Sequence, residues 1–547
     1  MSINQKEMDA VVLGAGFAGM YMLHLLRESG YSVRAYEAGG GVGGTWYWNR
    51  YPGAGCDVPS LYYCYTFSEE IYKEWTWSSK YPSQPELLKY ANFVAERLDL
   101  LKDIQFNARV LSAHFDENLN KWRIRTNNDE VILAKYFITG VGPLTSASNL
   151  PNIKGINNFK GAVYHTGRWP HEGVDFKGKR VGVIGTGSSG VQAIPVIANE
   201  AESLTVFQRT PQWVFPTNDY PLEKEYVKEI KENFHELRRQ IDASIPAFPV
   251  EFKGKPHSAF DDTAEERQKH YDKLWKTGDA GIIGAYVDIT TNETANEDVA
   301  KFIRSKIKEV VENPITAEKL LPSILVGARR PIFGKNYYET FNRENVSLVD
   351  LRDAPIEEIT TKGILINEKE YELDILVFAT GFDALTGPLL NIDIRGRNGV
   401  TLRDKWDGLA NFKTNLAVAN SGFPNMFTLW GPHSSALFNA LRGIELHVEW
   451  VFDCIEYLRN NNVETIETTV QAEDEWTNFI DAVAVQTIQS KVDSWYHGTN
   501  VEGKLRKYLM YFGDFPTYKA KYDEVATTGY EGFVLTPSSK IKVNEKL

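Results

Sequence analysis

Cysteine is scarce in this 547-residue chain, and the three that occur, Cys56, Cys64 and Cys454, form no C-x-x-C pair. The sequence therefore encodes no disulfide framework, no cysteine zinc site and no redox-active thiol pair. The first residues lack the basic and apolar regions of a signal peptide, and no run approaches roughly 18 uninterrupted apolar residues. These absences predict a cytoplasmic protein without a membrane span or a metal site.

An excess of positive charge is also missing. Lys and Arg number 60 against 72 Asp and Glu, a net charge of −12, so we expect no nucleic-acid partner, because such a partner requires a positive field. The hydrophobic fraction of 43% and the charged fraction of 24% are typical of folded proteins. At about 150 residues per domain, the length predicts two to four domains.

What the sequence does contain is a β-α-β pattern near its start, DAVVLGAGFAGMYMLHLLRESGYSVRAYEA. Gly14, Gly16 and Gly19 have the G-x-G-x-x-G spacing, which allows a tight turn, close approach of a pyrophosphate and close helix packing. Glu37 ends the second strand, where a carboxylate can accept hydrogen bonds from ribose hydroxyls and disfavours a 2′-phosphate. This unit predicts an FAD site, to which the following glycine- and aromatic-rich stretch contributes Gly44, Thr45 and Trp46.

A second β-α-β pattern, KRVGVIGTGSSGVQAIPVIANEAESLTVFQRT, carries Gly185, Gly187 and Gly190 at the same spacing. Gln208 stands where the first unit has its acid, and Arg209 follows. A guanidinium can make bidentate hydrogen bonds to a 2′-phosphate, so this site is expected to bind NADPH rather than NADH. The alternative for Arg209 is a solvated charge at a strand end. Further expected cofactor contacts are Thr186, Ser188, Ser189 and Thr210.

Two dinucleotide units in one chain indicate hydride transfer between a nicotinamide and a flavin. The predicted fold class is α/β, with two Rossmann-like dinucleotide-binding domains, for FAD and NADPH, and a helical insertion in the NADPH domain. The segment LDILVFATGFD resembles the crossover that returns a flavoprotein chain to its FAD domain. The predicted division is 1–140 for the first part of the FAD domain, 141–220 for the first part of the NADPH domain, 221–323 for the helical insertion, 324–379 for the second part of the NADPH domain, and 380–547 for the second part of the FAD domain with a substrate-side loop.

Between the two units lies FKGAVYHTGRWP, which matches the pattern F-x-G-x-x-x-H-x-x-x-W-P at Phe159, Gly161, His165, Trp169 and Pro170. This stretch resembles the fingerprint of type I Baeyer–Villiger monooxygenases, of the cyclohexanone monooxygenase kind. The resemblance extends from Val11 to about Gly513. It implies an enzyme that converts ketones to esters or lactones with O2 and NADPH, through a C4a-peroxyflavin and a Criegee intermediate. It also implies that the fingerprint links domains and supports the conformations of catalysis, and it gives no evidence that His165 performs acid–base chemistry.

The resemblance assigns further residues. Arg330, in GARRP, takes the position of the active-site arginine, whose permanent charge can stabilise an anionic oxygen. Asp57, in YPGAGCD, takes the position of its counter-charge. Arg329 is expected to contact the NADPH phosphate, and Trp495, in SWYHG, to lie in a loop that closes over the nicotinamide. The alternatives are a solvated face for the arginine pair, a turn cap for Asp57 and plain core packing for Trp495.

Three other functions compete with this interpretation. A nitrogen- or sulfur-oxygenating flavin monooxygenase shares both nucleotide units, and the Trp169-Pro170 pair together with Arg330 counts against it. A disulfide reductase needs the cysteine pair that is missing. A flavin-binding sensor without turnover would not need Asp57, Arg330 and Trp495 together. The expected substrates are O2 and an apolar ketone; the oligomeric state is not predicted.

Overall fold

A computed structural model describes residues 5–144, 151–249, 254–435 and 437–538 of the chain. The strands are β1 (Gln5–Leu13), β2 (Val33–Tyr36), β3 (Ile104–Gln105), β4 (Val110–Asp116), β5 (Lys121–Thr126), β6 (Val131–Thr139), β7 (Ala162–His165), β8 (Arg180–Ile184), β9 (Ser203–Gln208), β10 (Val214–Pro216), β11 (Ile332–Gly334), β12 (Val346–Asp350), β13 (Glu358–Ile359), β14 (Gly363–Ile366), β15 (Lys369–Glu372), β16 (Ile375–Phe378), β17 (Asp393–Arg395), β18 (Met426–Thr428), β19 (Val463–Thr468) and β20 (Phe533–Pro537).

The helices are α1 (Phe17–Glu28), α2 (Thr45–Trp48), α3 (Glu69–Glu74), α4 (Gln84–Arg97), α5 (Ser188–Glu200), α6 (Lys224–Glu232), α7 (Phe234–Ala243), α8 (Ala264–Thr277), α9 (Glu293–Val310), α10 (Pro314–Leu320), α11 (Thr386–Leu390), α12 (Leu402–Trp406), α13 (Ala440–Asn460), α14 (Val470–Ala484) and α15 (Phe515–Thr527). Short 3-10 turns add to these, and one of them, Trp495–His497, bears on the site. Across the parts of the chain that the structure describes, no helix combines the length and apolarity needed to cross a membrane.

The first sheet has the order β17-β4-β5-β6-β1-β2-β3, and β18 pairs with the end of β6. Strands β2, β1, β6 and β18 run parallel at its centre. Residues 10–13 at the end of β1 are all buried, as expected for a parallel strand covered on both faces. Helix α1 starts directly after β1 and packs with α13 in the same core. The first β-α-β pattern therefore forms one nucleotide-binding half of the molecule.

The second sheet is entirely parallel, with the order β12-β9-β8-β16-β7. Helix α5 joins β8 to β9, so the second glycine-rich pattern forms the same strand-turn-helix unit as the first. Strand β16 leads into the crossover Ala379–Asp383, and β7 ends at His165 beside it. The α/β fold with two dinucleotide-binding units confirms the predicted fold class.

Within the segment 221–323, predicted as a helical insertion, the helices pack in two different cores. Helices α6 and α7 bury Val227, Phe234 and Leu237 in the core that contains α1 and α13. Helices α8, α9 and α10 pack instead in the core of the second sheet, where Tyr271 and Val299 are buried. The amphipathic pattern was right, but such a pattern shows only that a face is buried, and not which domain covers it.

Candidate active site

The first glycine-rich turn lies between β1 and α1 and is shaped for a phosphate chain. Gly14 has a φ of +97°, and a Cβ atom on it would lie 2.6 Å from the carbonyl oxygen of Gly140. A Cβ on Gly19 would lie 1.9 Å from the carbonyl oxygen of Gly14, so only glycine permits this approach of helix to strand. Gly16 is the N-cap of α1, and Gly44 packs on it. The turn fits a dinucleotide pyrophosphate at the start of α1.

Glu37 follows β2 directly and its carboxylate is buried. It accepts hydrogen bonds from the backbone N–H groups of Ala15 at 2.8 Å and Gly39 at 2.7 Å. Burial raises the pKa of Glu37. Because each carboxylate oxygen has two acceptor positions, Glu37 can hold the turn and still accept from a ribose hydroxyl. The predicted Thr45 and Trp46 start α2, and Trp46 is buried.

The second turn repeats this geometry between β8 and α5. Gly185 has a φ of +107°, and its Cβ would lie 2.5 Å from the carbonyl oxygen of Ala379. A Cβ on Gly190 would lie 2.2 Å from the carbonyl oxygen of Gly185. At Gly187, by contrast, no atom of the described residues other than its neighbours in the chain lies within 4 Å of the Cβ position, so the backbone there is open to a ligand. The predicted neighbours are in place: Ser188 and Ser189 start α5, and Thr186 Oγ1 donates to the Thr210 carbonyl at 3.3 Å.

Arg209 and Arg329, the two arginines expected to bind the 2′-phosphate, are close enough to interact electrostatically. Arg209 follows β9 and is exposed, whereas Gln208 turns inward and its Nε2 donates to the carbonyl of Lys319 at 2.8 Å. Arg329 is partly buried, and its Nη2 donates to the carbonyl of Asp493 at 2.7 Å. Burial lowers the pKa of Arg329, and the charge of Arg209 lowers it further. The two cations therefore repel each other, and an anion bound between them would relieve that repulsion.

Asp57 and Arg330 form a bidentate ion pair between the two halves of the molecule. Arg330 Nη2 lies 2.5 Å from Asp57 Oδ1, and Arg330 Nε lies 3.1 Å from Asp57 Oδ2. The side chains are 31% and 25% exposed, respectively. The Asp57 carboxylate raises the pKa of Arg330, which keeps the guanidinium charged. The counter-charge expected from the sequence is thus in contact with the arginine; the catalytic roles of both stay predictions.

The segment around Trp495 touches both nucleotide units. Gln489 Nε2 donates to the carbonyl of Gly327 at 3.1 Å, and Asn500 Nδ2 donates to the carbonyl of Phe382 at 2.7 Å. The Trp495 ring is partly buried and packs on Tyr496, with 4.7 Å between ring centroids. It is Tyr496, fully buried, whose phenol interacts electrostatically with the ion pair. The sequence pattern singled out Trp495 and gave no signal for the buried Tyr496 beside it. The role of Trp495 in a loop over the nicotinamide stays a prediction.

The fingerprint residues lie where β7 meets the crossover. His165 is buried, its Nδ1 accepts from the Gly167 N–H at 3.0 Å, and its Nε2 lies 3.4 Å from Thr380 Oγ1. Burial lowers the pKa of His165 to about 4, so the ring stays neutral at physiological pH. Gly161 has no room for a side chain, because a Cβ would lie 2.3 Å from the Asp374 carbonyl oxygen. Phe159 and Trp169 are buried and Pro170 is partly buried.

Sequence reasoning missed a direct contact between the Asp57 loop and the second nucleotide unit. Tyr51 donates from its hydroxyl to Gln192 Oε1 at 2.7 Å. Both residues stand inside quoted motifs, YPGAGCD and GTGSSGVQ. No spacing rule indicates the contact, because it depends on how one domain lies against the other.

Comparison with known proteins agrees with this geometry. A family model described as FMO-like, flavin-binding monooxygenase-like, matches residues 7–242. The chain is 42% identical over 533 residues to a Baeyer-Villiger monooxygenase of Pseudooceanicola batsensis, covering 96% of each. It is 43% identical over 544 residues to phenazine N-monooxygenase PhzNO1 of Lysobacter antibioticus, covering 98% of this chain and 99% of that protein.

Solved structures match over nearly the whole length. Cyclohexanone monooxygenase from Rhodococcus sp. Phi1 bound to NADP+ has a TM-score of 0.94 at 41% identity, covering 98% of this chain and 100% of that one. OTEMO in complex with FAD and NADP has a TM-score of 0.91 at 40% identity, covering 97% and 99%. Fold and site thus define a flavin-binding monooxygenase with two dinucleotide units. Within that class, the chain belongs to the family of NADPH-dependent type I Baeyer–Villiger monooxygenases, as the sequence predicted, and is cyclohexanone monooxygenase-like.

Proposed function

We propose that this chain binds FAD at the first glycine-rich turn and NADPH at the second, and uses O2 to convert an apolar ketone to an ester or lactone. The observation that carries the proposal is the bidentate pair of Asp57 and Arg330 between the two nucleotide units. Bound FAD and NADPH would supply the redox chemistry that activates O2. The fit of both turns to dinucleotides and the relatives that bind FAD and NADP support the cofactor assignment.

Arg330 is assigned the electrostatic role. Ketone oxygenation by a nucleophilic oxygen passes through species with negative charge on oxygen, and these need a cation that does not lose its proton. A guanidinium meets this requirement, and Asp57 fixes its plane through two hydrogen bonds. The Asp57 carboxylate also offsets the cost of holding the cation away from water. We assign Asp57 the orienting role and Arg330 direct contact with the reacting oxygens.

Arg209 and Arg329 are assigned to the 2′-phosphate of NADPH. Their mutual repulsion without a ligand and the inward turn of Gln208 support this assignment. At the first site the acid Glu37 disfavours a 2′-phosphate, which supports placing FAD there. Trp495 is assigned to the loop that covers the nicotinamide and limits the access of water.

A second candidate is oxygenation of an aromatic ring nitrogen. The named activity of the Lysobacter relative favours it, since that protein matches the whole chain at 43% identity. Both reactions use the same cofactors, so the nucleotide turns cannot discriminate between them. The choice depends on whether the activated oxygen attacks a carbonyl carbon or is attacked by a nitrogen lone pair.

Product analysis decides between the two. The holoprotein is incubated with NADPH, isotopically labelled O2 and separate panels of cyclic ketones, linear ketones, phenazines and sulfides. Esters or lactones that carry one labelled oxygen atom support the proposal. N-oxides without any ester would replace it by the second candidate, and hydrogen peroxide without an oxygenated product from any panel would overturn both.

A further inference from the structure

Helix α5 contacts the loop that carries Asp57 and the strand that follows Arg330, and it starts at the second glycine-rich turn. Its first residues, Ser188 and Ser189, belong to that turn. One turn of helix later, Gln192 faces the loop that carries Asp57, and Val191 faces Gly334 in the strand that follows Arg330. A single helix thus contacts the predicted NADPH turn, the loop that carries Asp57 and the strand that follows Arg330.

The contact with the Asp57 loop is a two-point hydrogen-bonded bridge. Gln192 Oε1 accepts from the Tyr51 hydroxyl at 2.7 Å, and Gln192 Nε2 donates to the carbonyl of Gly55 at 3.1 Å. The primary amide uses its acceptor and one donor on two points of the same loop, four residues apart. Asp57 follows Gly55 by two residues, so the bridge restricts the backbone that aims its carboxylate.

Tyr51 also reaches the turn itself. Burial raises the pKa of Tyr51 to about 12, and the nearby Ser189 side chain acts against that rise. Its ring packs on the core of the second sheet, although its chain belongs to the first domain. The hydroxyl of Tyr51 therefore lies between a residue expected to contact NADPH and the side chain that holds the Asp57 loop.

The backbones of this loop and of α5 are also in close contact. A Cβ on Gly53, which has a φ of +78°, would lie 2.3 Å from the carbonyl oxygen of Gln192, so loop and helix touch without a side chain between them. Pro195 stands inside α5 and lacks the N–H that would bond to the carbonyl of Val191. The helix continues from Ser188 to Glu200 but lacks this one backbone hydrogen bond beside the carbonyl of Gln192 that meets Gly53.

We propose that Gln192 is a positioning residue that couples occupancy of the second dinucleotide site to the geometry of the Asp57–Arg330 pair, with Tyr51 as its partner. A ligand on the first turn of α5 fixes Ser189, Tyr51 and Gln192 together, and the bridge transmits this to Asp57. Binding of the nicotinamide cofactor then restricts the motion of the Asp57 carboxylate in the ion pair. The effect of this coupling on catalysis rests on the proposed function, whereas the coupling itself concerns only the binding of the nicotinamide cofactor.

The test uses the FAD-loaded full-length protein and the variant Gln192→Met, which keeps the length of the side chain and removes both hydrogen bonds. Hydrogen–deuterium exchange of residues 51–57 is measured with and without saturating NADP+. In the wild type, NADP+ is expected to slow exchange in this segment about five- to tenfold, and in Gln192→Met the effect is lost while the dissociation constant of NADP+ changes less than about threefold. Equal protection in wild type and variant overturns the proposal.

Two further variants separate coupling from folding. Tyr51→Phe removes one hydrogen bond without changing the packing of the ring, and it is expected to lose part of the protection. Asn199→Leu alters an exposed side chain on the same helix whose Oδ1 accepts from Arg343, remote from the loop, and it is expected to behave as wild type. If Gln192→Met does not fold, Tyr51→Phe decides alone, and normal NADP+ protection in it overturns the proposal.

Steady-state kinetics supplies the second readout. With whichever substrate the wild type oxygenates, Gln192→Met is expected to lower kcat about tenfold and leave the KM for NADPH nearly unchanged, because Arg209 and the glycine turn still bind the cofactor. A rise in KM without a fall in kcat contradicts the proposal. If the wild type oxygenates no ketone, the proposed function fails, whereas the exchange experiment still gives its own answer.

Discussion

Arg330 Nη2 lies 2.5 Å from Asp57 Oδ1, although 273 positions separate the two residues in the sequence. Each comes from a different nucleotide unit, and the pair forms only when the two units face each other. The ion pair that the proposed reaction needs therefore depends on the assembly of the two domains.

Removing either partner is expected to abolish oxygenation with FAD still bound. Arg330→Ala removes the cation and lowers kcat for ester formation at least ~100-fold. Arg330→Lys keeps a charge but loses the two-point contact with Asp57, so it is expected to recover little of the lost kcat. The measurements are product yield and the visible absorbance of the bound flavin. Ester formation by Arg330→Ala at a rate near wild type would reject the assigned role, as would unchanged yield in Asp57→Asn.

Arg209 is expected to set the choice between NADPH and NADH. Arg209→Ala loses charge-assisted hydrogen bonds to the 2′-phosphate, which predicts a KM for NADPH that is ~10- to 100-fold higher and a nearly constant KM for NADH. The ratio of kcat/KM for the two cofactors is the measurement. Arg343→Ala, at a distant surface position, serves as the charge control. Equal losses with both cofactors would show that Arg209 acts on something other than the phosphate.

The buried hydroxyl of Tyr496 predicts an effect on stability. Its hydroxyl is buried, and no residue in the described ranges accepts or donates a hydrogen bond to it. An unpartnered buried hydroxyl costs about 1–3 kcal/mol, so Tyr496→Phe is expected to keep or raise the free energy of unfolding. Urea titration of both proteins measures the difference. A loss of more than about 1 kcal/mol would mean that the hydroxyl has a partner in the folded protein.

The sequence sufficed for features that local chemistry determines. The glycine positions of both turns and Glu37 followed from spacing, because each turn needs particular backbone angles. The pairing of Asp57 with Arg330 followed only from the family resemblance, because it depends on how the two units meet. Gln192 and Tyr496 could not be found this way. The contact of Gln192 depends on how two domains meet, and the direction of Tyr496 depends on the 3-10 turn Trp495–His497.

For the same reason, the sequence alone could not show where the helical segment packs. The patterns of α6 and α7 indicated amphipathic helices, but the residues that hold α7 to the first domain are far away in the sequence. Asp242 on α7 accepts from Arg442 Nε on α13 at 2.6 Å. Such a contact between two helices of different regions has no local signature.

This contact belongs to a buried charge cluster that predicts a large effect on stability. Arg442 is 3% exposed and pairs with Asp242, Glu445 and Glu449, and Glu445 is fully buried. Arg442→Met leaves the Glu445 carboxylate without its cation and is expected to lower the free energy of unfolding by about 3 kcal/mol. In the double variant Arg442→Met/Glu445→Gln, the loss is expected to be smaller. Chemical unfolding measures both, and a double variant less stable than the single one would contradict the prediction.

His447 predicts a specific acid sensitivity. It is buried, its Nδ1 accepts from the Trp430 N–H at 3.2 Å, and its Nε2 lies 3.0 Å from Tyr518 Oη and 2.9 Å from Tyr522 Oη. Burial lowers the pKa of His447 to about 3 from the usual 6.5. A proton therefore binds the unfolded chain first, so the stability that the neutral ring contributes is complete above about pH 6.5 and is lost as the pH falls toward 3.

Other buried groups also contribute to the pH dependence of stability, including carboxylates whose pKa is raised by burial, such as Glu37 and Glu445. The prediction is therefore a difference between two proteins. Between about pH 8 and pH 5, the wild type is expected to lose about 2 kcal/mol more of its free energy of unfolding than His447→Gln does, since the variant has no ring to protonate. At about pH 8 the variant itself is less stable, because the glutamine amide cannot reproduce all three contacts. Parallel pH profiles for the two proteins would mean that His447 is not a neutral buried ring in the folded state.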